Sequence, residues 1–276
     1  GTREGCASVR EPALDPTRQS FEPESSPGAP DVHGKVVLIT GGAKRVGAAI
    51  SRRLHAAGAN LMLHYRASAG EARLLQAELN HVRAGSVALI QADILDVGKL
   101  PSLVEQTLAT FGRLDGLVNN ASSFFATQVG DITPAVWEDL IGTNLRAPLF
   151  LSQAAAPALK RAQGAIVNIT DIHAERPLKG YVVYSAAKAG LSGLTRSLAR
   201  ELAPEVRVNA VAPGPILWPE DSQFDELSRQ RIVSHTPLKR EGSPDDIARA
   251  VHFLLVDAPY VTGETIAVDG GRHMAI

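Results

Sequence analysis

Short apolar runs alternate with longer amphipathic stretches along the chain after Gly34. Seven of the runs are rich in aliphatic residues, which predicts strands at 35–40, 59–65, 86–93, 116–121, 164–170, 206–213 and 265–270. Six stretches between them repeat apolar residues every three or four positions, which predicts helices at 46–57, 68–83, 97–112, 133–160, 181–203 and 243–256. Most strand runs are continuously apolar, so we expect strands that are covered on both faces.

The repetition of strand and helix predicts one α/β domain. We expect a Rossmann-type, doubly wound, mainly parallel seven-stranded sheet with helices on both faces. Ligands of such sheets bind beyond the carboxyl ends of the strands. Residues that carry chemistry are therefore expected just after the predicted strands.

Two segments do not follow this alternation. Residues 1–33 are rich in Pro, Glu, Ser and Gly, which predicts a flexible tail ahead of a folded domain at 34–276. Residues 214–242 lie between the last two strands and show no clear period. A long excursion at this edge of a sheet is typical of a lid, and we predict a substrate lid there.

Composition excludes several classes of partner. The 276 residues are 45% hydrophobic and 21% charged, which is enough for a sizeable core. The formal net charge is −1 and the two signs are interspersed, so neither nucleic acid nor a membrane is an expected partner. Cys6 is the single cysteine, and no long apolar run or secretory signal is present. We expect a cytoplasmic protein, and the prediction includes no metal.

The sequence TGGAKRVG at 40–47 follows the first predicted strand and opens the first helix. Glycines at such a junction allow a tight turn and close approach to a pyrophosphate, although similar turns also simply cap strands. Arg45 occupies the position at which a dinucleotide-binding loop often has its middle glycine. Candidate dinucleotide-binding residues in the loop are Gly41, Lys44, Arg45 and Val46.

The end of the second strand indicates which dinucleotide is bound. His64, Tyr65, Arg66 and Ser68 lie here, and no acid occurs before Glu71. A site for NAD usually has a carboxylate at this point for the ribose 2′-hydroxyl, whereas a 2′-phosphate requires cations or hydrogen-bond donors. NADPH is therefore the predicted cofactor; an ordinary solvated strand end is the alternative.

Polar residues also end the third and fourth predicted strands. Asp93 ends the third, and Asn120, Ala121 and Ser122 follow the fourth in the sequence NNAS. In this architecture those ends face the adenine and the backbone of the cofactor, so all four are candidate cofactor contacts. Each of them, Asp93 included, could instead form a turn at the end of its strand.

Tyr184 and Lys188 lie four residues apart in a predicted helix, which is the spacing at which side chains meet. A free tyrosine, with a pKa near ~10, is a poor acid–base group at neutral pH, and a nearby cation favours its ionised form. The pair is a candidate proton-transfer group.

Several ordered motifs now point to one family. The loop at 40–47, NNAS, Asn144 in GTNLRAPLF, the Tyr-x-x-x-Lys pair, VAPG at 211–214 and the terminal YVTGETIAVDGG resemble the short-chain dehydrogenase/reductase family from about residue 34 onward. That resemblance implies that Tyr184 donates a proton, while Lys188 lowers its pKa and holds the nicotinamide ribose. It implies that Asn144 anchors a water that relays protons.

The same resemblance implies further cofactor contacts from Pro213 and Gly214, and a homotetrameric assembly.

Asp171 departs from the common family pattern. It lies thirteen residues before Tyr184, where most members have a serine that donates to a substrate carbonyl. A carboxylate would repel a developing oxyanion, whereas a Tyr–Asp pair can relay a proton to the nitrogen of a C=N bond. Thr170 could replace the serine only if the loop shifts by one residue, and Asp171 could instead cap a turn.

Phe124 follows NNAS and could stack on a flat heterocycle opposite the nicotinamide, although Phe124 or Phe125 could also be a core residue. Together with Arg45 and Asp171, this pattern resembles the pteridine reductases within the family. That resemblance implies NADPH-dependent reduction of pterins and dihydropterins, with folates as further candidates. Predicted substrate contacts are Arg45, Ser122, Phe124, Asp171, Tyr184 and Gly214.

Two other functions stay open at this point. A carbonyl reductase of the same family, such as a 3-oxoacyl-carrier-protein reductase, would predict a serine at 171 or use of Thr170. A non-catalytic nucleotide-sensing module would usually lack the tyrosine or the lysine, yet Asn144, Tyr184 and Lys188 are all present.

Overall fold

The computed structural model describes residues 32–218 and 224–275. Within these ranges, one sheet contains β1 (Val36–Ile39), β2 (Asn60–Tyr65), β3 (Val87–Gln91), β4 (Gly116–Asn119), β5 (Ala165–Ile169), β6 (Arg207–Pro213) and β7 (Thr265–Val268). The α-helices of the same ranges are α1 (Arg45–Ala56), α2 (Ala69–Val82), α3 (Leu100–Phe111), α4 (Pro134–Ile141), α5 (Ala147–Ala162), α6 (Val182–Leu202), α7 (Glu226–Ser234) and α8 (Pro244–His252).

All neighbouring strands are parallel, in the order β3-β2-β1-β4-β5-β6-β7. The chain builds outward from β1 to β3, then returns to the other side of β1 and builds outward to β7. This reversal between β1 and β4 is the switch point at which doubly wound sheets open a crevice for ligands. The predicted fold class is confirmed.

Alternate side chains of each strand divide the core into two layers. Val37 and Ile39 of β1 face a layer that includes α1, α2 and α8. Leu38, between them, faces the opposite layer with residues of α3, α5 and α6. Because both faces of the sheet are buried, the strands need continuous apolar runs, which is the pattern that identified them.

The strand register fixes the catalytic edge of the sheet. Asn119 at the end of β4 lies opposite Asn168 in β5, and its Nδ2 donates to Asn168 Oδ1 at 2.8 Å. Asn168 Nδ2 donates in turn to Thr195 Oγ1 at 2.9 Å. All three side chains are buried, so these bonds tie helix α6 to the sheet.

The predicted helix at 133–160 is two helices separated by a π-helical turn at Gly142–Arg146. Pro148 has no N–H to donate to the carbonyl of Asn144, four residues earlier, so one bond of the regular helical ladder is missing beside this turn. Within the turn, Asn144 Nδ2 donates to Leu140 O and to Ser123 O, both at 2.9 Å. The break therefore directs Asn144 toward the loop after β4.

The boundary between the predicted tail and the folded domain lies earlier in the chain than residue 34. Residues 1–31 of the predicted tail lie outside the described residues, but Val32 is 5% exposed and packs in the core. The folded domain thus includes at least the last two residues assigned to the tail.

Of the predicted lid, residues 219–223 lie outside the described part, and the remainder contains α7, which the sequence pattern did not predict. Asp225 caps this helix by accepting from Ser228 N at 2.8 Å. No residue of α7 is buried, so the helix has no apolar stripe.

No helix in the described ranges is long and apolar enough to cross a membrane.

Arg207, the first residue of β6, holds the chain that follows α8. Its Nη1 donates to Leu254 O at 2.7 Å and Ala258 O at 2.9 Å, and its Nη2 donates to Leu255 O at 3.0 Å. Arg207 is only partly exposed, and this burial lowers the pKa of its guanidinium.

We expect Arg207→Met to lower the free energy of unfolding by about 2–3 kcal/mol, because three carbonyls lose their donor in a partly buried place. Urea denaturation measures this loss. Arg249→Met is the matched control, since Arg249 makes an exposed ion pair with Asp245, and it should leave the free energy of unfolding nearly unchanged. Equal losses in the two variants would contradict the assignment.

Candidate active site

A cavity of about 700 Å³ opens at the carboxyl edge of the sheet. Its wall combines the strand ends, the start of α1 and part of the predicted lid. It brings together most of the residues that the sequence nominated, namely Gly41, Lys44, Arg45, Val46, His64, Tyr65, Arg66, Ser68, Asn120, Ala121, Ser122, Phe124, Asp171, Tyr184, Lys188, Pro213 and Gly214.

Asp93 and Asn144 do not line the cavity. Asp93 is exposed beyond the end of β3, and its carboxylate accepts from Leu95 N at 3.0 Å. It therefore forms a turn, while Ile94 reaches the cavity wall in its place. Asn144 is linked to the cavity wall through Ser122, because its Oδ1 accepts from Ser122 Oγ at 2.7 Å.

The loop between β1 and α1 is shaped by close backbone approach. A Cβ at Gly47 would lie 2.0 Å from Gly41 O, so only glycine fits there. Asn120 Nδ2 holds the loop by donating to Thr40 O and Gly41 O, both at 3.0 Å.

Arg45 has φ +53°, in the left-handed region that favours glycine. This conformation matches the prediction that Arg45 replaces a glycine, and it costs about 1 kcal/mol for a residue with a side chain. Helix α1 begins at the same residue, and no described side chain caps its N-terminus. The positive end of the helix dipole at this terminus favours an anion.

His64 lines the cavity as a neutral, structural group. It is 2% exposed, and burial lowers its pKa. Gly41 N donates to His64 Nδ1 at 3.2 Å, so the proton is on Nε2, which donates to Ala92 O at 3.0 Å. The sequence analysis placed His64 among residues that would bind a phosphate. In the structure, its imidazole links the glycine loop to Ala92, just after β3, and supplies no positive charge.

Positive side chains outnumber negative ones among the described residues of the cavity wall. Among the described lining residues, Asp171 is the single carboxylate. The lysine and arginine side chains that line the cavity are Lys44, Arg45, Arg66, Lys188 and Arg272. This excess of cations favours a ligand with several negative charges, as a dinucleotide has.

Tyr184 and Asp171 form the centre of the site. Tyr184 OH donates to Asp171 Oδ2 at 2.7 Å. Burial raises the pKa of Tyr184 well above 10, the charge and hydrogen bond of Asp171 raise it further, and a hydrogen bond with Ser122 opposes them. Asp171 is itself fixed because its Oδ1 accepts from His173 N at 2.8 Å.

Lys188 lies beside this pair, with Nζ 5.7 Å from the centre of the Tyr184 ring, and donates to Ile169 O at 2.9 Å. Burial lowers the pKa of Lys188 to about 8, while Asp171 opposes that shift. The expectation that the pKa of Tyr184 is lowered is wrong here, because burial and the adjacent carboxylate outweigh any effect of the lysine.

Two sequence alternatives are decided by hydrogen bonding and packing. Thr170 Oγ1 donates to Val211 O at 3.0 Å and is 2% exposed, so its hydroxyl is committed to the sheet. Phe124 lines the cavity, whereas Phe125 does not. The Phe124 ring stacks on Tyr181 at 4.7 Å between centroids and meets the edge of Tyr184 at 4.8 Å.

The sequence did not identify some residues of the cavity wall as candidates. His173 follows Asp171 in a 3-10 turn, Trp218 belongs to the predicted lid, and Arg272 lies in the turn after β7. None of them sits in a motif with a known spacing. The only signal was position, since each follows a strand at the edge where ligands bind.

The doubly wound sheet, the glycine loop at a helix N-terminus and the Tyr–Lys pair define an oxidoreductase that binds a nicotinamide dinucleotide. A family model described as enoyl-(acyl carrier protein) reductase matches residues 41–273. The chain belongs to the short-chain dehydrogenase/reductase family.

Individual relatives cover almost the whole chain. Pteridine reductase 1 from Leishmania tarentolae is 38% identical, over 91% of this chain and 98% of its own. The 3-oxoacyl-[acyl-carrier-protein] reductase FabG from Staphylococcus aureus is 37% identical, over 87% and 98%. A blue fluorescent protein from a metagenomic library, solved in complex with NADPH, is 38% identical with a TM-score of 0.82, over 88% and 99% of the two chains.

Gly47→Ala should raise the dissociation constant for the nicotinamide dinucleotide at least about 10-fold, because the new methyl group displaces the loop that approaches the pyrophosphate. Titration followed by protein fluorescence measures it. Gly193→Ala in α6, where a Cβ meets nothing within 4 Å, should leave the constant within about 2-fold. A Gly47→Ala protein with normal melting and unchanged affinity would contradict this account of the loop.

Proposed function

We propose that the protein uses NADPH to reduce a C=N bond in pterins and dihydropterins. The observation that carries the proposal is the 2.7 Å hydrogen bond from Tyr184 to the Asp171 carboxylate. It puts a protonated phenol and an acceptor side by side in the wall of the cavity. Such a pair can supply a proton to a ring nitrogen and then recover it.

NADPH, when bound, supplies the hydride that adds to the carbon of the C=N bond. Tyr184 gives its hydroxyl proton to the nitrogen, and its raised pKa ensures that the proton is present at neutral pH. A phenolate next to a carboxylate is unfavourable, so Asp171, which is partly exposed, passes a proton from solvent to the phenol oxygen in the same step. The pair ends the step with the protons it began with.

Carbonyl reduction fits this arrangement less well. It builds negative charge on an oxygen, which needs hydrogen-bond donors pointing at it. At the position of the usual serine the chain presents the Asp171 carboxylate, and the neighbouring Thr170 hydroxyl donates into the sheet. The wall thus favours a substrate nitrogen that takes up a proton without becoming an anion.

Phe124 supports a flat heterocyclic substrate. Its ring lines the cavity and meets the edge of Tyr184, so a planar ring can pack against it within reach of the phenol. Ser122, which lines the same wall and bonds Asn144, offers a polar contact for the exocyclic groups of a pterin.

NADPH is favoured over NADH by the charges at the end of β2. Arg66 is exposed beside the cavity and Lys44 lies in the glycine loop, whereas the Arg45 guanidinium donates to Trp218 O of the predicted lid at 3.0 Å. No carboxylate among the described lining residues lies at that end to bind a 2′-hydroxyl or to repel a 2′-phosphate. Arg66 would hold the adenosine phosphate, and the glycine loop with Lys44 would hold the pyrophosphate.

The two curated relatives do not separate the candidate substrates, because their identities are 38% and 37%. The competing function is reduction of a 3-oxoacyl thioester by the same fold. Asp171 is the residue that distinguishes the two functions on physical grounds.

With NADPH, we expect kcat/KM for dihydrobiopterin to exceed that for acetoacetyl thioester at least about 100-fold, which corresponds to about 2.7 kcal/mol in transition-state binding. The loss of NADPH absorbance measures both rates, and NADH should be the poorer reductant in the same assay. Brisk turnover of the thioester with no turnover of any pterin would overturn the proposal.

A further inference from the structure

Arg272 is a cation in the cavity wall that the proposed chemistry does not use. It is partly buried, and its Nη1 donates to Ile232 O of α7 at 3.0 Å. That is the one hydrogen bond its guanidinium makes with the described residues, and no carboxylate there lies within ion-pair distance. Toward the described residues, its other four N–H donors make no hydrogen bond, which leaves them available on that side for a ligand.

The turn that carries Arg272 is rigidly held. Asp269 Oδ1 accepts from Gly271 N at 2.9 Å, and Asp269 Oδ2 accepts from both the backbone N and the Nδ1 of His273 at 2.7 Å. Gly270 and Gly271 both adopt left-handed φ values, +64° and +84°, which the sharp turn requires. Both oxygens of Asp269 are thus engaged within the turn. The guanidinium of Arg272 makes no ion pair with this carboxylate and lies in the cavity wall.

The position of Arg272 separates it from the cofactor phosphates. It follows β7 at one edge of the sheet, whereas Arg66 ends β2 near the other. The five strand spacings between β2 and β7 amount to roughly 24 Å. The Asp171–Tyr184 pair lies between them, after β5 and on α6. The end of β2, the Asp171–Tyr184 pair and Arg272 thus follow one another along the cavity.

Burial lowers the pKa of Arg272, with Asp269 opposing the shift, so the charge is held at some cost in solvation. A guanidinium in such a place is expected to meet an anion, and its planar fork matches a carboxylate.

We infer that Arg272 binds a carboxylate on the tail of the substrate and so makes the protein select pterins that carry an acidic side chain. The inference rests on the proposed function, since it concerns the end of the pterin that points away from the nicotinamide. Arg272 does not touch the reacting atoms, and it acts on specificity through KM.

The test compares dihydrofolate, which carries a glutamate tail, with dihydrobiopterin, which has no acid, both with NADPH. Arg272→Met should raise KM for dihydrofolate about 10-fold or more, leave kcat within about 2-fold, and leave both constants for dihydrobiopterin within about 2-fold. Arg272→Lys should recover part of the loss, because it keeps the charge without the fork. Arg231→Met, an exposed arginine next to Ile232, is the matched control and should change neither substrate.

If the wild-type protein reduces both pterins and Arg272→Met weakens them equally, or weakens neither, the inference is overturned while the proposed function stands. If the wild-type protein reduces neither pterin, the proposed function is overturned and the inference with it.

Discussion

The site depends on one hydrogen bond, from the Tyr184 hydroxyl to the Asp171 carboxylate, which joins the turn after β5 to helix α6. Its geometry is set deeper in the protein, because the buried bond from Asn168 to Thr195 fixes the same helix against the same strand. Its electrostatics follow from burial beside a carboxylate, which keeps the phenol protonated. A phenol that regains its proton through Asp171 is better suited to protonate a nitrogen than to stabilise a forming oxyanion.

Around that bond, charge is distributed along the carboxyl edge of the sheet. Lys44 of the glycine loop and the exposed Arg66 place cations at the dinucleotide end, whereas the Arg45 guanidinium donates to Trp218 O of the predicted lid at 3.0 Å. Lys188, with its pKa lowered to about 8 by burial, lies at the centre beside the Tyr184 ring. Arg272 lies at the far end, beyond β7. The cations of this cavity thus lie at separate places along the edge, so one polyanionic ligand need not contact all of them.

The sequence predicted the sheet well because strands buried on both faces must be apolar throughout. It failed at features that leave no hydrophobic period in the sequence. The break at Gly142–Arg146 follows from Pro148 and the contacts of Asn144, and α7 has no buried face to create a period. The neutral role of His64 depends on its bonds to Gly41 and Ala92, which no local pattern encodes.

The central claim is that the Asp171 carboxylate directs the enzyme to C=N bonds, and Asp171→Ser tests it most directly. The quantity to measure is kcat/KM for dihydrobiopterin divided by kcat/KM for acetoacetyl thioester, with the NADPH dissociation constant determined in parallel. The account predicts that this ratio falls at least about 100-fold, while the dissociation constant stays within about 2-fold. An unchanged ratio in a variant that binds NADPH normally would contradict it.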